Sequence, residues 1–114
     1  MTDTSAATAV WVDIVALDRL TPGRGVAALV RGRQLAVFLV DGEVYALDNL
    51  DPFSGAHVMS RGIVGDRNDV PKVASPMYKQ SFDLRSGQCL DDADVRLTTY
   101  PTRVVDGRVE VEVT

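Results

Sequence analysis

The sequence has very few of the residues that bind metals through sulfur or imidazole. Its 114 residues include one cysteine, Cys89, and one histidine, His57. One cysteine cannot form an internal disulfide, and the opening segment MTDTSAATAV has neither the basic start nor the apolar run of a secretory signal. We therefore expect a chain that works in the reducing cytoplasm and packs Cys89 as a small buried hydrophobic residue.

Basic charge and long apolar runs are also scarce. The formal net charge is −4, which gives no basic field for binding nucleic-acid phosphates. The longest apolar run, broken around Leu35 to Val40, falls well short of the roughly eighteen residues of a spanning helix. We therefore expect no nucleic-acid partner and no membrane span. The 46% hydrophobic and 25% charged fractions are typical of a globular domain.

Alternating apolar residues and tight-turn signals predict an all-β chain. Period-two patterns begin at Val10, so we expect a flexible tail over residues 1–9 and a single domain over residues 10–114. Asp-Gly pairs at 41–42 and 106–107 lie between strand-like runs, and Ser86-Gly87 marks a third turn between 82–84 and 88–90. The patterns predict a small barrel or sandwich of short antiparallel strands with little helix.

Two stretches, residues 50–62 and residues 75–80, do not have a strand pattern. The segment between them reads as two short strands joined by a polar turn over residues 65–69. Loops of this length in a small domain are usually functional or disordered. They contain several apolar side chains, which argues against ordinary disorder: Phe53, Val58, Met59, Met77 and Tyr78. We expect these loops to pack on each other or on a partner.

The order of these elements resembles that of a Rieske domain over about residues 10–113. The matching features are a hairpin ending in Val44-Tyr45-Ala46-Leu47-Asp48-Asn49, the two loops, Phe82-Asp83-Leu84 with Ser86-Gly87, and Tyr100-Pro101 before the last hairpin. In that family the first loop carries Cys-x-His and the second carries Cys-x-x-His, which bind a 2Fe–2S cluster. The matching positions here are Asp51, Phe53, Ser75 and Tyr78.

The resemblance therefore implies a Rieske-like fold with two projecting former cluster-binding loops whose ligand positions are degenerate. We expect no metal and no cofactor on this chain, because one cysteine and one histidine cannot supply two of each. Lys79 stands where the family has a glycine after the second histidine. We expect the backbone freedom of that glycine to be lost.

A closer set of motifs is similar to the small subunits of the cytoplasmic NAD(P)H-dependent assimilatory nitrite reductase. The motifs are Asn49-Leu50-Asp51-Pro52-Phe53, Ser60-Arg61-Gly62, Val73-Ala74-Ser75-Pro76 and Lys79-Gln80, with Phe82, Leu84, Gly87 and Cys89. This resemblance implies a large partner subunit that carries FAD, an iron–sulfur cluster and sirohaem and passes electrons from NADH or NADPH to nitrite, giving ammonium. It implies that this chain is a non-catalytic subunit, enzymatic only as part of the complex.

In a fold of this kind the two loops project side by side, so we expect them to form one surface for the large subunit. The candidate interface residues are apolar or basic: Phe53, Val58, Met59, Arg61, Lys72, Met77, Tyr78 and Lys79. We expect burial of part of the apolar set to hold the loops together in place of a metal. The remainder, rimmed by the basic residues, is expected to be exposed.

Two functions of other classes remain open. One is a free-standing, cluster-free protein-binding module that uses the same loops. The other is a metal hydrolase that uses Asp48, Asp51 and His57, although Asp51 is more simply a loop cap that accepts backbone N–H groups and His57 a loop or interface residue. An acidic run at residues 91–94 lacks the glycine turn and the distal glutamate of an EF-hand loop, so we interpret it as a solvated turn.

Overall fold

The computed structural model describes residues 9–114; of the predicted tail, residues 1–8 lie outside this range. The described chain is all-β, as predicted, with two 3-10 turns at Leu17–Arg19 and Met59–Arg61. Among residues 9–114, no helix has the length and apolar character needed to cross a membrane. The strands are β1 (Val10–Ala16), β2 (Val26–Val30), β3 (Arg33–Val40), β4 (Glu43–Asp48), β5 (Ile63–Arg67), β6 (Val70–Ala74), β7 (Ser81–Asp83), β8 (Thr99–Tyr100), β9 (Thr102–Val105) and β10 (Arg108–Val113).

The strands form three antiparallel sheets, in the pairing orders β1-β10-β9, β2-β3-β4-β8 and β5-β6-β7. The second sheet is covered on both faces. Leu35 and Val37 of β3 belong to a core cluster shared with β10, whereas Ala36 and Phe38 belong to a cluster shared with β6 and β7. Because neighbouring residues of a strand point to opposite faces, a strand buried on both sides has a continuous apolar run.

The Asp-Gly pairs form the predicted hairpin turns. Asp41 and Gly42 have φ values of 52° and 79°, and Asp106 and Gly107 have values of 50° and 75°. Positive φ at both central residues is the requirement of a two-residue type I′ turn, which matches the twist of the strands on either side. These turns fix the registers of β3 with β4 and of β9 with β10.

A third hairpin of this kind replaces the longer polar turn predicted over residues 65–69. β5 and β6 pair up to Arg67 and Val70, and Asn68 and Asp69 alone make the turn, with φ values of 52° and 66°. Asn and Asp enter the left-handed region more readily than other non-glycine residues. The predicted turn was too long because the polar residues 65–67 belong to β5.

The predicted hairpin around Ser86-Gly87 forms only in part. The Gly87 N–H donates to the Asp83 carbonyl at 2.7 Å, so the turn is present. Residues 88–90 then make only the isolated bridges Phe82 to Cys89 and Gln88 to Arg96. The predicted strand over residues 95–100 is reduced to β8.

The sheet framework brings the two loops together. Loop 1 (residues 49–62) follows β4, and loop 2 (residues 75–80) follows β6. Ile63, at the start of β5, pairs with Ala74, at the end of β6. Loop 1 therefore ends beside the point where loop 2 begins.

Candidate functional site

Loop 1 is organised by Asn49, whose structural role the sequence reasoning missed. This side chain is 2% exposed. Its Nδ2 donates to the His57 carbonyl at 3.2 Å, and its Oδ1 accepts from the Ser60 N–H at 2.7 Å. The Met59 N–H also donates to the Asn49 carbonyl at 3.0 Å. Asn49 thus ties the start of the loop to its end, and its position directly after a strand was the available signal.

Asp51 is the centre of the site. Its side chain is fully buried, and its carboxylate accepts from the Phe53 N–H at 2.9 Å, from Ser54 Oγ at 3.0 Å and from Ser75 Oγ at 2.6 Å. The bond from Phe53 confirms the predicted loop cap. Burial opposes ionisation, but the hydrogen bonds from Ser75, Phe53 and Ser54 outweigh it and hold the pKa of the Asp51 carboxyl below its ordinary value.

Ser75 connects this carboxylate to loop 2. Within that loop, the Ser75 N–H donates to the Gln80 carbonyl at 2.9 Å and the Lys79 N–H donates to the Ser75 carbonyl at 3.0 Å. The Met77 N–H donates to Ser75 Oγ at 3.2 Å, while that hydroxyl donates to Asp51. Asp51 of loop 1 and Ser75 of loop 2, two of the four predicted degenerate ligand positions, are therefore hydrogen-bonded to each other.

The other two ligand positions lie in different environments. The half-buried Phe53 ring packs on Phe82, with ring centroids 6.2 Å apart and an interplanar angle of 47°. Tyr78 is 61% exposed and its neighbour Met77 is 48% exposed. The expected inward packing is therefore found for Phe53 and not for Met77 or Tyr78. The Asp51 to Ser75 bond joins the loops where apolar burial had been expected to do so.

These residues do not fit a Rieske cluster. Such a cluster needs two thiolates and two imidazoles. The four positions offer a carboxylate, a phenyl ring, a hydroxyl and a phenol, and the carboxylate already accepts hydrogen bonds from both loops. No thiolate or imidazole stands at any of the four positions.

The structure also gives no support to a hydrolytic metal site. Within the part of the chain that the structure describes, no group of three or more His, Cys, Asp or Glu side chains is placed to hold a metal ion. Asp48 instead accepts from the Tyr100 hydroxyl at 2.5 Å. Burial and this bond to a carboxylate raise the pKa of Tyr100.

One predicted interface residue is misplaced. Met59 is 0% exposed, because the 3-10 turn directs it into the core cluster that contains Phe38. The expectation that Met59 lies on the surface is wrong. Val58 is half-buried, Arg61 is exposed, and the half-buried Lys72 donates to Ser81 Oγ at 3.1 Å.

Lys79 is exposed as expected and adopts a backbone conformation that favours glycine. Its φ is 67°, in the left-handed region that a long side chain rarely adopts. Lysine at this position therefore does not prevent a positive φ. The bond from the Lys79 N–H to the Ser75 carbonyl fixes the turn, so the strain remains in loop 2.

Outside the loops, Cys89 is 3% exposed within a core cluster, which confirms its predicted packing. The acidic run is more than a solvated turn. Asp91 accepts from the Ser81 N–H at 2.8 Å and pairs with Arg67 at 3.3 Å, and these contacts lower its pKa.

Comparison with known proteins identifies the family of this chain. Residues 10–112 match the family model described as "Rieske-like [2Fe-2S] domain". The NADH nitrite reductase small subunit of Salmonella typhimurium is 40% identical over 103 residues, which cover 89% of this chain and 95% of that protein. A Mycobacterium tuberculosis crystal structure, provisionally described as an NADH-dependent nitrite reductase small subunit, has 51% identity and a TM-score of 0.91, covering 94% of this chain and 97% of the other.

A longer relative carries the same unit as part of its own chain. The NAD(P)H nitrite reductase large subunit of Klebsiella oxytoca is 42% identical over 101 residues, which cover 89% of this chain and only 11% of that protein. The small subunits, in contrast, match over nearly their whole length. The chain belongs to the Rieske-like [2Fe-2S] domain family and, within it, to the small subunits of nitrite reductase.

Proposed function

We propose that this chain is the non-catalytic small subunit of a cytoplasmic NAD(P)H-dependent nitrite reductase. In this proposal a large subunit carries FAD, an iron–sulfur cluster and sirohaem and reduces nitrite to ammonium with electrons from NADH or NADPH. The names of the relatives support the reaction. The observation that carries the role of this chain is the Asp51 to Ser75 bond, which occupies two positions where the family has cluster ligands.

The Klebsiella relative supports the partner. Its large subunit contains a region similar to this chain within a single polypeptide. A domain that is covalently part of the large subunit in one organism fits a separate subunit that binds the large subunit in another. Such a subunit needs a binding surface that holds it to the large subunit in place of a covalent connection.

We assign that surface to the paired loops and call it the docking face. It is defined by the exposed residues Leu50, Arg61, Met77, Tyr78 and Lys79. The hydrogen bond between Asp51 and Ser75 holds the two loops side by side, so the loops present their exposed apolar and basic side chains together. Apolar residues with a basic rim are the composition of a protein interface.

In this role the chain stabilises or orders the large subunit and is not an electron carrier. Phe53, Val58 and Lys72, which were included in the predicted interface, are half-buried. A preorganised loop pair binds with a smaller loss of conformational entropy than a mobile one.

The test is co-purification of the large subunit with tagged variants of this chain. Tyr78→Asp places a charge at the most exposed aromatic residue of loop 2, and Leu29→Asp is the matched control because Leu29 is 75% exposed on β2. We expect Tyr78→Asp to weaken binding by about tenfold or more, at an unchanged melting temperature, and Leu29→Asp to bind normally.

Nitrite-dependent oxidation of NADH by the reconstituted complex provides the second readout. Loss of activity should follow loss of binding. Normal binding by a Met77→Asp/Tyr78→Asp double variant moves the interface elsewhere. If the wild-type chain does not co-purify with the large subunit, the free-standing binding module replaces this proposal.

A further inference from the structure

A depression of about 480 Å³ lies away from the degenerate ligand positions, between residues 19–26 and the second 3-10 turn. Three of its lining residues are arginines: Arg19 and Arg24 from the first segment and Arg61 from the turn. The rest of the lining consists of glycine, threonine, serine and a single valine. Arg61 also belongs to the docking face, whereas the proposed docking role does not account for Arg19 and Arg24.

The three arginines of the depression form no contact ion pair within residues 9–114. Four other arginines form ion pairs within residues 9–114: Arg67, Arg85, Arg103 and Arg108. None of the three lining arginines takes part in an ion pair in that range, and the lining contains no Asp or Glu. Three uncompensated charges at one place are notable in a chain whose net charge is −4.

The two backbone segments beneath these arginines are in close contact. A Cβ atom added at Gly25 would lie 2.1 Å from the Ser60 carbonyl oxygen, so the two segments touch through their backbones. The Ser60 N–H is in turn held by Asn49 Oδ1 at 2.7 Å. The two walls of the depression are therefore joined through this backbone contact and the Asn49 hydrogen bond.

Several backbone N–H groups of the lining already have acceptors, whereas the side chains of the three arginines make no hydrogen bond within residues 9–114. The Gly23 N–H donates to the Leu39 carbonyl at 2.9 Å, the Arg24 N–H to Thr21 at 3.0 Å and the Arg61 N–H to Val58 at 2.9 Å. Guanidinium groups donate bidentate hydrogen bonds to carboxylates and phosphates. The ligand class is therefore an oxyanion.

The lining favours a small anion over an acidic protein segment. Protein interfaces have apolar or aromatic residues at their centre, whereas Val26 is the only aliphatic side chain here. Three arginines match a ligand that carries several negative charges on adjacent oxygens. We propose that this depression binds a diphosphate group, either free or as part of a nucleotide, through Arg19, Arg24 and Arg61.

The proposal is tested by NMR titration of the ¹⁵N-labelled chain with pyrophosphate and, separately, with ADP, against sodium chloride at matched ionic strength. We expect saturable amide shifts at residues 19–26 and 60–62 that chloride does not reproduce. Equal affinity for both ligands identifies the phosphates as the recognised group, and tighter binding of ADP identifies a nucleotide; both support the site.

The variant Arg19→Gln/Arg24→Gln/Arg61→Gln should lower the affinity by about tenfold or more, since each guanidinium provides charge-assisted hydrogen bonds. The control Arg31→Gln/Arg85→Gln/Arg96→Gln removes the same charge elsewhere and should bind normally. Thermal melts check that both variants fold. Equal affinity of the two triple variants, shifts that chloride reproduces, or tighter binding of a glutamate-rich peptide at the same residues would each overturn the proposal.

Discussion

The sheets and the paired loops are stabilised in different ways. β3 buries four consecutive side chains, residues 35–38, each 0% exposed and divided between two apolar clusters. The loops are joined through one buried carboxylate, Asp51, with donors from both loops. An apolar core tolerates changes that conserve volume, whereas a buried polar network fails when one member is removed. The stability of the framework should therefore depend on the size of its side chains, and the stability of the loops on the chemical identity of theirs.

The largest expected effect tests the framework side of this comparison. Phe82 is fully buried in β7 and also supports the Phe53 ring of loop 1. We expect Phe82→Ala to lower the free energy of unfolding by about 3–5 kcal/mol, because it leaves a cavity in the core. Urea denaturation measures the loss. Phe82→Leu, which keeps most of the volume, should lose much less; equal losses for Ala and Leu would contradict a framework that depends on size.

The next effect tests the loops. Asp51→Ala leaves the Ser75 and Ser54 hydroxyls and the Phe53 N–H without their acceptor in a buried place. We expect a loss of about 2–3 kcal/mol in the free energy of unfolding. Ser54→Ala removes two hydrogen bonds within loop 1, the one to Asp51 and the one from the Ala56 N–H, and should cost less. Ser75→Ala, which removes the hydrogen bond between the loops, should lie between the two. Asp51→Asn with wild-type stability at neutral pH would show that the charge is unimportant.

Acid titration is a second readout of the same carboxylate. Because the folded-state pKa of Asp51 is lowered, its contribution is fully present above the unfolded-state pKa of about 3.9 and is lost as the pH falls through the folded-state value. The stability difference between wild type and Asp51→Asn should therefore shrink as the pH falls below about 4. Asp13 and Asp91 also have lowered pKa values, so only this difference isolates Asp51.

The sequence predicted the framework well because its signals are local. Asp41-Gly42 and Asp106-Gly107 adopt the backbone angles that define a tight hairpin, and a turn of this kind sets the register by itself. The turn at Asn68-Asp69 uses the same angles with residues that give a weaker signal. Residues 88–90 form only isolated bridges, with Phe82 and Arg96, and the sequence pattern did not show that their pairing would stop there.

The loops were predicted in position but not in their packing. The motifs placed Asp51 and Ser75 at positions that match the cluster ligands of the family. A contact between residues 24 positions apart, however, depends on how β4 and β6 are arranged. Met59 was predicted at the surface because a loop residue has no periodicity to show which side it faces. Its burial results from a single 3-10 turn. Resemblance to a family predicted the candidate site, and only the structure gave the hydrogen bonds between its two loops.

The smallest expected effect concerns strain in loop 2. Lys79 has a φ of 67°, a conformation that costs a non-glycine residue roughly 1–2 kcal/mol, part of which glycine would return as greater freedom of the unfolded chain. We expect Lys79→Gly to raise the free energy of unfolding by up to about 1 kcal/mol. Lys79→Ala removes the same side chain without relieving the backbone, so it separates strain from charge. Arg31, with a φ of 50° in the β2–β3 turn, provides the framework counterpart, and Arg31→Gly should give a similar gain in the free energy of unfolding.

Binding of the large subunit should distinguish the two sites. If Lys79 belongs to the docking face, Lys79→Gly and Lys79→Ala both weaken binding of the large subunit, whereas Arg31→Gly does not. A glycine variant at Lys79 that is no more stable than the alanine variant would show that loop 2 holds this conformation without strain.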